Sequence, residues 1–250
     1  MSKKSALAGS LTPLKQLTLN FGQRSSPNTA RVTRECPDCS MIYRLDDKHE
    51  EYLHAKHHTE HTRAPNLLKY VSPKSGEKLV HAYDEGKCVV VEYGTDAPHT
   101  VQRACQVLDF VDAQLGIEEK RLSRKLKPLT KFYMFVTGAD NRIVGFCMAE
   151  PVESAHRIAY LNSENGAFTL GERVASAKCG ISRVWVAESA RRRRVASRLL
   201  DCVSVNFVYV RTLEAPKEIA FSDPTEFGRE LARSYCRTNS FLIYNSSSPN

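Results

Sequence analysis

In this chain of 250 residues, the segment from Cys179 to Asp201, CGISRVWVAESARRRRVASRLLD, has the residue types and order to hold a charged ligand. An apolar β-type run (Ile181, Val184, Trp185, Val186) passes through a short polar turn into the arginines Arg191, Arg192, Arg193 and Arg194. An amphipathic helical pattern follows at once through Val195, Ala196, Leu199 and Leu200. A strand that delivers the chain to a helix start brings orphan backbone N–H groups and guanidinium cations together, which suits a pyrophosphate. The contact residues so proposed are Arg192, Arg193, Arg194, Val195, Ala196 and Ser197 around the turn. A nuclear import signal is the rival reading of four arginines. A run that opens an amphipathic helix directly after a strand presents its side chains poorly to a carrier. Trp185, the only tryptophan, has two readings, packing on the ligand or burial in the sheet.

A second group has metal-binding spacing. Cys36 and Cys39 form C-x-x-C, a short strand-like run follows (Met41, Ile42, Tyr43), and a helical stretch runs from Asp46 through His58. His54 and His58 are four apart and share a helical face. Two thiolates from a knuckle and two imidazoles from a helix make a closed tetrahedral site for structural zinc. His57 is an alternative fourth ligand at poorer spacing. Asp46, Asp47, Glu50 and Glu51 on the helix would repel phosphate, which favours a packing or protein-contact role over DNA reading.

Around these groups the pattern describes one larger domain. Strands are expected at 88–93, 131–137, 142–150, 156–161, 218–223 and 240–245, and helices at 98–115 and 225–237, besides the strand and helix of the arginine segment. The order gives a mixed α/β or α+β fold over 88–246, with a disordered tail over 1–30, the finger over 31–61 and a linker or irregular strand over 62–87. The net charge of +8 favours acidic or phosphate-bearing partners. No apolar run is long enough for a membrane span, and no membrane role is expected. Six of the 8 cysteines are scattered, which suits buried thiols in a reducing compartment. Cys179 is read as one of these, since no histidine lies beside it to activate a covalent route.

Arg191, Arg194 and Ala196 occupy the three positions of [QR]-x-x-G-x-[GA], and the segment resembles the acetyl-coenzyme A loop of GNAT acetyltransferases. Arg194 stands where the motif has glycine. CGISRVWV before the loop, EIAFSDPTEFG after it, the terminal FLIY and the upstream finger together resemble the cohesin acetyltransferase family (establishment of cohesion). The resemblance implies a GNAT fold, a mixed and mainly antiparallel sheet with helices on both faces, beside the zinc finger. It implies acetyl transfer from acetyl-CoA to lysines on the SMC ATPase head of cohesin, in the nucleus and on chromatin. It also implies roles for residues: Asp223 deprotonates or orients the lysine, Ser182 supports it across the cleft, and Thr225, Glu226 and Phe227 lie near the acetyl end of the donor. A helix cap is the bland reading of Asp223 and of Thr225. The strand edge at Val184 to Val186, splayed from its neighbour as in GNAT folds, would supply a backbone donor to the thioester oxygen.

Gln16, Leu19 and Phe21 in the N-terminal segment resemble a degenerate Q-x-x-L-x-x-F-F clamp-binding peptide, which implies docking on PCNA. Acetylation of another nuclear protein such as histone, and a zinc-finger nucleic-acid-binding protein whose arginines meet phosphate, are the alternatives. Acetyl-CoA binding separates the two enzyme readings from the third.

Overall fold

The computed structural model describes residues 33–37, 41–74, 76–117, 126–160, 168–174, 176–222 and 224–245. The chain divides into two compact units, 1–56 and 57–250, within its first helix. In the first unit, β1 (Thr33–Glu35) and β2 (Ile42–Arg44) pair antiparallel. The Cys36 N–H donates to the Met41 carbonyl at 3.0 Å between them. Helix α1 (Lys48–Leu67) begins at Asp47, whose Oδ1 accepts from the N–H groups of His49 at 2.9 Å and Glu50 at 3.3 Å, satisfying orphan donors of the first turn. The Arg44 guanidinium reaches Glu50 at 2.7 Å and Asp47 at 2.6 Å. Hydrogen bonds hold both carboxyls below the usual range. Two of the four helix carboxylates are therefore already paired.

Among the described residues, the second unit is built on a nine-stranded sheet. Its strands are β3 (Lys78–Tyr83), β4 (Gly86–Glu92), β5 (Lys131–Thr137), β6 (Ile143–Pro151), β7 (Ala155–Tyr160), β8 (Phe168–Val174), β9 (Cys179–Val186), β10 (Ile219–Ser222) and β11 (Ser240–Tyr244). The spatial order is β3-β4-β5-β6-β9-β10-β11-β7-β8. Only the β9–β10 and β10–β11 pairs are parallel; the others run antiparallel. Helices are α2 (Pro98–Gln114), α3 (Val195–Asn206), the short α4 (Ala215–Glu218) and α5 (Glu226–Cys236).

Period-two alternation sends successive side chains to opposite sheet faces. Phe132, Phe146 and Trp185 join Val107, Leu108 and Val111 of α2 on one face. Tyr133, Phe135, Cys147, Phe221 and Phe241 join Leu199, Leu200 and Val203 of α3 and Ala232 of α5 on the other. The mixed sheet with helices on both faces is the arrangement expected from the sequence.

The segment 62–87 differs at its start, where α1 continues past Pro65 to Leu67, and its irregular strand is Lys78–Tyr83, at the sheet edge. Pro73 and Gly76 interrupt only the chain between these elements. Strand β8 has no clear signal in the sequence, because Gly171 and the polar residues of FTLGERV obscure its alternation.

Candidate functional site

The site begins where β9 parts from β10. Among the described residues their register runs Cys179↔Ile219, Gly180↔Ala220 and Ile181↔Phe221. The Ser222 hydroxyl donates to the Ser182 carbonyl at 3.1 Å. On its other edge β9 stays paired with β6 as far as Val186↔Gly145. The Ala187 N–H donates to the Val144 carbonyl at 2.9 Å. Antiparallel alternation then turns the backbone of Trp185 toward β6 and the backbones of Val184 and Val186 away from it, toward the gap. The expected open edge is therefore present at Val184 and Val186. Trp185 is not part of it: its backbone faces β6, and its side chain, 7% exposed, meets Phe110 edge-on at 5.5 Å under α2. Its core reading is the right one.

Ser182 lies at a register shift, since Met148 pairs with Arg183 and Ala149 with Ile181. The extra residue is a β-bulge, a device that bends a strand and re-aims side chains. The Ser182 hydroxyl donates to the Met148 carbonyl at 3.3 Å. Asp223 lies outside the described residues; Ser222 before it ends β10, beside the Ser182 carbonyl. Thr225 caps α5, its hydroxyl accepting from the Gly228 N–H at 3.3 Å. Glu226 and Phe227 follow in the first turn, and Phe227 is 82% exposed.

From Val186 the chain makes one short 3-10 turn, Glu188–Ala190, and enters the arginines. Arg192 (φ +62°) and Arg194 (φ +61°) adopt left-handed backbone. This explains why glycine is the residue expected at the Arg194 position: without a Cβ it enters this region at little cost. The turn forms with arginine there, and all four arginine side chains are exposed. Arg194 is the N-cap of α3, with no side-chain cap bond. The first intrahelical bond runs from the Arg198 N–H to the Arg194 carbonyl at 3.0 Å. The N–H groups of Val195, Ala196 and Ser197 precede it and lack intrahelical acceptors, which gives this end a positive partial charge. The side chain of Val195 is buried, so only its backbone belongs to the turn.

The cations have distinct places. Arg191 Nε donates back to the Val186 carbonyl at 3.3 Å. Arg198 pairs with Glu85 at 2.8 Å and lies over the Tyr83 ring at 4.8 Å. Arg193 lines a cleft of ≈ 400 Å³ together with Thr137, Arg142, Val144 and Ser189. That cleft is on the β5–β6 flank, on the side of β9 away from β10.

On the α2 face, the buried Glu150 stands opposite Gly180 across the β6–β9 pair. The Tyr244 ring packs on Gly180, where an added Cβ would lie 2.5 Å from Cζ. The buried Tyr244 hydroxyl makes no hydrogen bond within the described residues. Burial, with the Glu150 carboxylate nearby, raises its pKa well above the ordinary value. The sequence reading singled out neither Glu150 nor Tyr244. Cys179 is fully buried, and burial pushes its thiol well above the ordinary range, which fits a buried strand thiol.

Comparison with known proteins matches this arrangement. A family model described as ESCO1/2 acetyl-transferase matches residues 175–244, and the Acetyltransferase (GNAT) family model matches 106–204. A model described as zinc-finger of acetyl-transferase ESCO matches 16–60. The solved xEco2 acetyltransferase domain bound to a CoA conjugate is 36% identical, with a TM-score of 0.61, over 69% of this chain and 99% of that domain. The chain belongs to the ESCO acetyltransferase family. Mouse N-acetyltransferase ESCO2 is 33% identical over 92% of this chain, and human N-acetyltransferase ESCO1 is 30% identical over 94%. The chain spans 37% and 28% of the length of those two relatives.

The ESCO finger match falls on the Cys/His group. Ligand atoms of Cys36, His54 and His58 lie within 4.8 Å of one another, while Cys39 is outside the described residues. The His54 ring stacks on Tyr43 with centroids 3.9 Å apart, which fixes its orientation. Three of the four expected donors thus converge, and His58 is the helical partner of His54 in the cluster. The donor set fits a tetrahedral zinc ion.

Proposed function

We propose that this chain is a protein-lysine N-acetyltransferase that uses acetyl-CoA and acts on the SMC ATPase head of cohesin to establish sister-chromatid cohesion. The observation that carries the reading is the open edge at Val184 and Val186, which leads directly into the left-handed arginine turn and the start of α3. A strand edge offers hydrogen bonds to an extended amide arm, and the N–H groups of Val195, Ala196 and Ser197 with Arg192, Arg193 and Arg194 offer cationic contacts to a pyrophosphate. Thr225, Glu226 and Phe227 flank the acetyl end.

The acceptor amine attacks the thioester carbonyl carbon; a C–N bond forms, the C–S bond breaks, and the CoA thiolate leaves and takes a proton. Lysine has a reference pKa of about 10.4 and must shed a proton first. Asp223 takes or orients that proton in this reading. Ser182 holds the bend of β9 through Met148, and its lone pairs remain available to a water or to the amine. A backbone N–H at Val184 or Val186 stabilises the oxyanion. Zinc on Cys36, Cys39, His54 and His58 supplies folding energy to a finger too small for its own core. Gln16, Leu19 and Phe21 dock on PCNA, and the protein works in the nucleus on chromatin.

Calorimetry with acetyl-CoA tests the reading. Saturable binding that Arg192→Glu with Arg193→Glu weakens supports it. No acetyl-CoA binding, with DNA binding abolished by the same pair of substitutions, assigns the chain to nucleic-acid binding instead.

A further inference from the structure

The gap between β9 and β10 has an identifiable clamp. Arg183 follows the bulge on β9, and its Nε donates to Asp112 Oδ1 of α2 at 2.7 Å. The pair is buried, with side chains 14% and 3% exposed. The same guanidinium donates through Nη1 to the Ser182 carbonyl at 2.9 Å. Ser222 donates to that carbonyl too, at 3.1 Å. A carbonyl oxygen has two lone pairs. Both are met by side chains, and among the described residues the parallel ladder ends here, at Ile181↔Phe221.

We infer that Arg183, held by Asp112, is a positioning residue that fixes the opening between β9 and β10, and so the place of the Val184 and Val186 edge. The inference rests on the acetyl-transfer reading of that edge. Energetics favour it over simple packing. Asp112 lies near the C-terminal end of α2, where the helix dipole disfavours a carboxylate. Desolvating each ion is costly, and an apolar pair of similar volume commonly stabilises as well or better. Packing alone therefore does not call for an ion pair here. The fork of arginine does: one arm reaches Asp112 and another reaches the Ser182 carbonyl, which a lysine or an apolar side chain cannot do.

The experiment compares the full chain with Asp112→Leu/Arg183→Met, Arg183→Lys and Ser222→Ala. It measures thermal stability, steady-state acetyl transfer to the cohesin SMC head, and amide hydrogen exchange. The double variant should melt near the wild-type temperature yet lose about tenfold or more in kcat. Exchange should change over 182–186 and 219–222 alone. Arg183→Lys and Ser222→Ala should each lower kcat less. Unchanged exchange over those strands, or kcat within about twofold of wild type, in the double variant overturns the inference. If the double variant does not fold, the same two outcomes in both Arg183→Lys and Ser222→Ala overturn it. Wild-type protein that transfers nothing sinks the acetyl-transfer reading, while the exchange data still decide whether the pair positions the strands.

Discussion

Val195 packs directly on Gly145: a Cβ at Gly145 would lie 2.6 Å from Val195 Cγ1 and 3.0 Å from Leu199 Cδ1. This close approach seats the first turn of α3 against β6, and with it the N–H groups of the arginine turn. Gly145→Ala should therefore cost about 1–3 kcal/mol through overpacking and weaken acetyl-CoA binding together with stability. Thermal melts and calorimetry on the same preparation check this. Wild-type values for both would show that α3 moves aside freely.

Arg194 holds left-handed backbone at φ +61°. For a non-glycine residue that costs about 1–2 kcal/mol, while glycine adds about 0.4–1 kcal/mol of unfolded-state entropy. Strain relief is the larger of the two, so Arg194→Gly should stabilise the protein by up to about 1 kcal/mol. Affinity for acetyl-CoA should stay within about threefold, because the backbone N–H groups are retained. A destabilised variant in denaturant titration would refute the strain argument.

Zinc is expected on the Cys/His group. Cys36→Ser removes one of the three donors that lie within 4.8 Å of one another. Metal content by mass spectrometry should fall from about one zinc per chain to near zero, and the finger should lose its circular-dichroism signal. An unchanged zinc content would reject the assignment.

Burial holds the Cys179 thiol well above its ordinary pKa. It stays protonated across neutral pH, so iodoacetamide should leave it unmodified in the native protein between about pH 7 and 9. Cys179→Ala should keep transfer activity. Rapid alkylation with parallel loss of activity would bring back a covalent acetyl-cysteine route.

Much of the fold is legible in local pattern. KFYMFVT and CGISRVWV are dense in β-branched and aromatic residues, and both form strands at the expected places. The strand, arginine turn and helix order is equally local, as is the pair His54 and His58 on one helix. What is not legible depends on pairing between distant segments. The face taken by Trp185 follows from the β6–β9 register, which no periodicity in β9 reveals. Asp112 and Arg183 are 71 positions apart, and only the packing of α2 on the sheet brings them together. The left-handed turn at Arg194 is hidden because arginine gives no sign of the backbone that a glycine would have announced.

The most direct test is mass spectrometry of purified cohesin after incubation with this protein and acetyl-CoA. The account predicts new acetyl-lysines on the SMC ATPase head that require acetyl-CoA. It also predicts a loss of about a hundredfold or more in rate for Asp223→Asn, with acetyl-CoA affinity kept. Acetyl-CoA binding without any acetyl-lysine on the SMC head, or near-normal transfer by Asp223→Asn, would contradict it.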